Sequence, residues 1–163
     1  MSVKNAIKLA SCFLAVTSLL TLAAPAFAGG FWIEIEAPTA HDGEMNGAAV
    51  LVRTVGCHQP WDAAVSARAE GIVNGKRQTI PLELTRTSKG VYAIKQQWPS
   101  KGAWVVAVTS EYNGFTSSAL VEMGTDGRVR VTKENRLASR VVQRRLTAQE
   151  VDAALSGLAN NAV

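Results

Sequence analysis

The chain has 163 residues, which is long enough for one domain with a substantial hydrophobic core. Its formal net charge at pH 7 is +4, and two of the positive charges, Lys4 and Lys8, lie at the N-terminus. The remaining charge of +2 is small and predicts no nucleic-acid partner.

Residues 1–28 have the three-part order of a secretory signal peptide. Two lysines and no acid begin the segment, residues 9–24 are mostly apolar, and Ala26-Phe27-Ala28 places small residues at the two positions that a signal peptidase recognises. This order predicts cleavage before Gly29 and a protein that works in the periplasm or outside the cell.

Two other interpretations of these residues fit less well. A membrane-spanning anchor needs about 20 apolar residues, but Pro25 breaks the run and Gly29 follows it closely. A lipoprotein site at Cys12 would leave almost no apolar segment before the cut. Removal of the signal lowers the net charge from +4 to +2 and leaves Cys57 as the single cysteine, so we expect no internal disulfide and no remaining membrane anchor.

The rest of the sequence is typical of an all-β protein. Asn-Gly at 46–47, 74–75 and 113–114 and Asp-Gly at 126–127 are dipeptides of tight hairpin turns, because both residues tolerate positive φ. Short segments rich in Val, Ile, Thr and aromatic residues lie between them. We predict strands near residues 31–36, 48–55, 63–73, 77–85, 91–98, 103–111, 115–123 and 128–132.

Alternation along these segments predicts how the strands pack. The inward face of the strand 103–111 would begin at Trp104 and continue at every second residue, and one buried and one wet face is the antiparallel pattern. Pro81 places its strand at a sheet edge or at a bulge. We predict an all-β, immunoglobulin-like antiparallel β-sandwich over residues 29–133 with Trp104 and Tyr92 in its core, and a small barrel is the alternative.

Residues 134–163 form the predicted C-terminal helical extension, which begins with a basic segment. Arg136, Arg140 and Arg144 recur every four residues, so on a helix they would form one basic stripe. We expect residues 134–145 to be helical or irregular. Such a stripe is often a solvated face, and the alternatives are contact with an acidic partner or with an anionic membrane surface.

A C-terminal amphipathic helix is predicted over residues 148–159. Thr147 and Glu150 have the spacing of a capping box, and Leu155 belongs to the apolar face that follows. A helix this short is marginal in water, so its apolar face must dock on the sandwich or on another protein. We expect the sandwich itself to fold without residues 134–163.

Two glycine–aromatic motifs flank a tight turn. Gly90-Val91-Tyr92 begins one strand and Gly102-Ala103-Trp104 begins the next. A Gly-x-Tyr strand, a turn and a Gly-x-Trp strand resemble the FixH/YtkA-like group of exported Ig-like domains, over about residues 46–123. The resemblance implies an Ig-like fold, and several relatives have Met and His residues that suggest copper handling.

Cys57-His58 is the candidate metal site. Thiolate and imidazole suit copper or zinc, and His41 and Met45 could join them. Adjacent residues on a strand point to opposite faces, so Cys57 and His58 can share an ion only in a loop, which the neighbouring Gly and Pro residues favour. The alternative is a small buried thiol beside a surface imidazole.

The sequence contains no nucleophile elbow, no His-Glu-x-x-His and no glycine-rich phosphate loop, so we do not expect an enzyme. We predict an exported, non-enzymatic binding or accessory protein that acts through protein–protein contacts and needs no cofactor. The competing hypothesis is a copper-handling protein that uses the Cys/His/Met site. The residues predicted to contact a protein partner are Arg136, Arg140, Arg144 and Leu155.

Overall fold

A computed structural model describes residues 30–38 and 47–160. The predicted signal peptide, His41 and Met45 lie outside these residues. Within them the chain forms β1 Phe31–Glu36, β2 Ala48–Gly56, β3 Ala64–Val73, β4 Lys76–Leu82, β5 Leu84–Ser88, β6 Val91–Lys95, β7 Ala103–Tyr112, β8 Phe115–Glu122, β9 Ser139–Val142 and the helix α1 Ala148–Asn160.

The strands form two antiparallel sheets. The first has the order β1-β2-β6-β5 and the second has the order β4-β3-β7-β8-β9. The first order matches the ABED sheet of an immunoglobulin domain, and the second matches its C′CFG sheet with β9 added beside strand G. The predicted β-sandwich with a helical extension is confirmed, and two separate sheets exclude the barrel.

The core lies between the sheets and is organised around β7. Trp104 is 3% exposed, as the alternation predicts, and its indole Nε1 donates to the carbonyl of Lys101 at 3.0 Å. Gly71 lies opposite Trp104 on β3, and a Cβ there would overlap the indole ring. Tyr92 is only partly buried: its ring packs against the core and its hydroxyl donates to the carbonyl of Ala63.

Tight turns form at two of the three predicted Asn-Gly pairs, and Asn46 of the third lies outside the described residues. Asn74-Gly75 joins β3 to β4 and Asn113-Gly114 joins β7 to β8, with positive φ at all four residues. A two-residue loop with two positive φ values fits the right-handed twist of the strands.

The predicted single strand 77–85 is wrong. The chain forms β4 and then β5 in the opposite sheet, with Glu83 as the crossing residue. The Gln97 side chain supplies hydrogen-bond partners for the backbone of Glu83. Its amide oxygen accepts from the Glu83 N–H at 2.9 Å, and its amide nitrogen donates to the Glu83 carbonyl at 3.0 Å. Pro81 lies in β4, an edge strand as predicted.

The chain after β8 also differs from the prediction. Residues 128–132 form only isolated bridges, Met123 with Val129 and Val131 with Leu137, rather than a continuous strand. The basic segment then contains β9 instead of a helix. Two β-branched valines favour extended backbone there, and pairing with β8 supplies partners for its backbone groups.

Helix α1 covers the outer face of the second sheet. The alternation predicts a wet outer face on β7, and this is wrong: Val105 and Ala107 are buried beneath the helix. The side chains buried between α1 and this sheet form a hydrophobic cluster outside the sandwich core, and its buried residues are Val105, Ala107, Leu120, Val151, Leu155 and Leu158.

Within residues 30–38 and 47–160, no helix has the length and apolar character that crossing a membrane requires.

Candidate functional site

An open groove of about 820 Å³ lies between α1 and the chain from Arg130 to Arg140. Its apolar lining includes Leu120 on β8, Leu137 in the segment between β8 and β9, and Ala154 on α1. We call it the C-terminal groove. The residues that line it are Leu120, Glu122, Arg130, Thr132, Arg136, Leu137, Ala138, Ser139, Arg140, Gln149, Glu150, Ala153 and Ala154.

The first turn of α1 sets one wall of this groove. The Glu150 carboxylate accepts from the Thr147 N–H at 2.9 Å, and the Thr147 hydroxyl accepts from the Glu150 N–H at 3.3 Å. These bonds are the predicted capping box, and they satisfy backbone donors that a helix end leaves without partners.

Glu150 also binds two of the predicted partner-binding arginines. Arg144 donates to both carboxylate oxygens, at 2.8 and 2.9 Å, and Arg140 donates to Oε1 at 2.5 Å. The Arg144 hydrogen bonds hold the pKa of Glu150 well below its usual range, and the pKa of Arg144 is raised by the same contact. Arg140 and Arg144 therefore tie the basic segment to the start of α1.

Further ion pairs hold the other parts of the helical extension. Arg77 on β4 bridges Glu70 and Asp152, and Arg145 pairs with Glu111 on β7. Burial raises the pKa of Glu70, but the hydrogen bonds from Arg68, Arg77 and the Thr79 hydroxyl outweigh it, so this pKa is lowered overall. The outer face of the second sheet thus carries a buried carboxylate that is fully paired beside α1.

Arg136 differs from the other arginines of the groove. Arg130 pairs with Glu122, and Arg140 pairs with Glu150. Arg136 is exposed and lines the groove, and within the described residues its side chain has no hydrogen bond or ion pair. It is the groove's cation that remains available to an outside anion.

Leu155 is 1% exposed and packs against the second sheet with Val151 and Leu158. The helix therefore docks on its own sandwich, which was one of the two surfaces expected for it. While α1 stays docked, Leu155 is covered by the second sheet and is not available to a partner.

Cys57 and His58 lie in the turn that follows β2, and both are exposed. The expectation of a buried thiol is therefore wrong. The two residues border a cavity of about 50 Å³ that Phe31 and Tyr112 also line, and the Tyr112 hydroxyl donates to the His58 carbonyl at 3.3 Å. Among the described residues, no three His, Cys, Asp or Glu side chains are grouped so that they could hold a metal ion. The predicted four-residue site includes His41 and Met45, so it stays a prediction.

Sequence reasoning identified Arg140 and Arg144 but missed Glu150 as their common partner. The signal was present, since the capping carboxylate lies six residues after Arg144 and ten after Arg140.

No protein-family model matches the chain, and neither a curated protein nor a solved structure matches it. The resemblance to FixH/YtkA-like domains therefore stays a prediction.

Proposed function

We propose that the protein is an exported, non-enzymatic binding or accessory protein that recognises a protein partner through its C-terminal groove. The observation that carries this proposal is the pairing pattern of the groove's arginines. Arg130 and Arg140 are neutralised by carboxylates of the chain, whereas Arg136 has no such partner among the described residues.

The shape and lining of the groove favour a protein segment as the ligand. Apolar side chains at Leu120, Leu137 and Ala154 offer surface that a partner's apolar side chains can cover. Arginine is enriched in protein interfaces, and a basic groove speeds the approach of an acidic partner at low salt. The ion pairs around Glu150 hold α1 in place, so the groove is formed before a partner arrives.

The test compares two charge reversals in a pull-down from a periplasmic extract. Arg136→Glu places a negative charge in the groove and should remove a partner captured by the parent protein. Lys95→Glu makes the same charge change on an exposed residue of β6 in the other sheet, and it should leave capture unchanged. Capture by the parent should also weaken as salt rises.

Equal capture by the parent and by both variants would contradict the proposal. Melting curves of the three proteins provide the control, because neither side chain has an ion pair in the described structure. A loss of binding with an unchanged melt assigns the effect to the groove.

Copper handling is a second candidate, and one observation favours it. Cys57 and His58 lie in a turn rather than along a strand, which is the arrangement that a shared ion requires. The test is titration of the processed protein with Cu(I) against a chromophoric chelator. Cys57→Ser should abolish competition if the thiolate is a ligand, and parent protein that never competes with the chelator would refute copper binding.

A further inference from the structure

The edge strands are β1 and β5 in the first sheet and β4 and β9 in the second. β9 differs from the other three in how its edge is protected against pairing with another strand. Natural sandwiches protect their edges against pairing with charges, prolines and bulges. Pro81 interrupts β4, the register of β5 shifts between Arg86 and Ser88, and β1 carries Glu34 and Glu36. β9 has no proline, and its register with β8 is regular from Ser139 to Val142 without a bulge; its single charged residue, Arg140, is paired with Glu150.

Backbone groups of Val141 face the open side of β9. The Glu122 N–H donates to the Ala138 carbonyl at 2.9 Å, in the same register that pairs Leu120 with Arg140 and Ala119 with Val141. Bonded and non-bonded pairs alternate along an antiparallel ladder. Arg140 therefore bonds to β8, whereas the N–H and carbonyl of Val141 point away from it, and this residue is 40% exposed.

Each end of β9 leads into a basic groove. The C-terminal groove includes Arg136 and Arg140, and a second groove of about 710 Å³ begins just after β9 with Gln143, Arg144 and Arg145 and contains the exposed Phe115. Two carboxylates, Glu150 and Glu111, pair with this set. Arg136, Arg140, Arg144 and Arg145 outnumber these two carboxylates, so the surface along β9 carries an excess of positive charge.

We propose that an extended acidic segment of a partner protein adds to β9 as a sixth strand of the second sheet. Its backbone would exchange hydrogen bonds with Val141, and its carboxylates would lie over the arginines in the two grooves. Addition of a strand to a sheet edge is an established mode of peptide recognition, in which main-chain bonds give affinity and side chains give specificity. This inference rests on the proposed function and specifies how the partner binds.

The experiment uses a fluorescein-labelled peptide of alternating Asp and Val, with binding to the processed protein followed by fluorescence anisotropy. The same peptide with N-methylated amides on one edge cannot donate to the Val141 carbonyl, so it should bind the parent protein about tenfold more weakly. The unmethylated peptide should bind the Val141→Pro variant more weakly by a similar factor, because proline has no backbone N–H. Val141→Thr keeps the backbone N–H and the β-branched side chain, so it should bind like the parent. A lysine–valine peptide should not bind.

The N-methylated peptide decides the outcome even if Val141→Pro does not fold. Binding of the acidic peptide that neither N-methylation nor Val141→Pro weakens would overturn strand addition and leave the proposed groove intact. No binding of the peptide, with partner capture still sensitive to Arg136→Glu, would likewise refute only this inference. Partner capture that is insensitive to Arg136→Glu would refute the proposed function itself.

Discussion

Ser110 and Ser117 face each other across β7 and β8, and both side chains are completely buried. The Ser117 hydroxyl oxygen accepts from the N–H of Ile33 at 3.1 Å, so it links β8 to β1 in the other sheet. The Ser110 hydroxyl has no hydrogen-bond partner among the described residues. The two serines therefore share burial and differ in hydrogen bonding.

We predict that Ser117→Ala lowers the free energy of unfolding by about 1–3 kcal/mol, because the buried N–H of Ile33 loses its acceptor. Ser110→Ala removes a hydroxyl that has no partner, so stability should stay the same or rise. Urea denaturation of the two variants measures both effects. Equal losses would show that the Ser110 hydroxyl also has a partner in solution.

At the scale of elements, β9 pairs with β8 in the second sheet and α1 packs on the outer face of that sheet. The sequence predicts a sandwich that folds without residues 134–163, but removal of this segment would uncover Val105, Ala107 and Leu120 and leave β8 as an open edge. An exposed apolar face of this kind favours aggregation. We therefore expect the truncated chain to be less stable than the parent and to self-associate, as measured by urea denaturation and size-exclusion chromatography.

A single substitution tests the docking of α1. Leu155→Ala should lower the free energy of unfolding by about 2–5 kcal/mol, the usual range for deleting a buried leucine side chain. Ser156→Ala is the matched control, since Ser156 is the exposed neighbour on the same helix. A Leu155→Ala variant that unfolds at the same urea concentration as the control would mean that the helix does not stay docked.

The ion pairs of Glu150 predict a pH dependence. Its pKa in the folded protein is below the ordinary value, so its stabilisation is fully present above about pH 4.3 and declines as the pH falls toward the folded-state pKa. Glu150→Gln keeps an acceptor for the helix cap but removes the charge. The stability difference between parent and variant should be largest near neutral pH and shrink below pH 4.3, as measured by urea denaturation at several pH values. A difference that does not change with pH would contradict this role.

The elements that sequence patterns predicted well are those with strong local signals. Asn-Gly pairs marked two hairpins, and Thr147 with Glu150 marked the start of α1. The switch at Glu83 escaped prediction because it depends on Gln97, which is distant in sequence. The four-residue spacing of arginines concealed β9, although Val141 and Val142 favoured a strand.

At the scale of the whole molecule, the sandwich was predictable and the groove was not. The groove exists because α1 crosses the outer face of β7 and β8, and local periodicity does not specify that placement. The apolar outer residues Val105 and Ala107 were nevertheless a sign that something covers this face. Identifying a strand as apolar on both faces would have predicted the helix–sheet contact.

Export is a further property that we predict for the whole molecule. The Ala-x-Ala sequence at 26–28 leads us to expect a processed protein that begins at Gly29. Edman sequencing of the protein purified from a periplasmic fraction checks this directly. An N-terminus at Met1, or a lipid on Cys12, would refute it.

Site-specific photo-crosslinking tests most directly whether the C-terminal groove is the binding surface. A benzoylphenylalanine is placed at Ala153, an exposed residue that lines the groove, and in a second variant at Thr85, an exposed residue of β5 in the other sheet. We predict that irradiation in a periplasmic extract links one partner to position 153, that position 85 gives no such product, and that adding Arg136→Glu removes it. A partner that crosslinks equally from both positions, or from position 85 alone, would contradict the account.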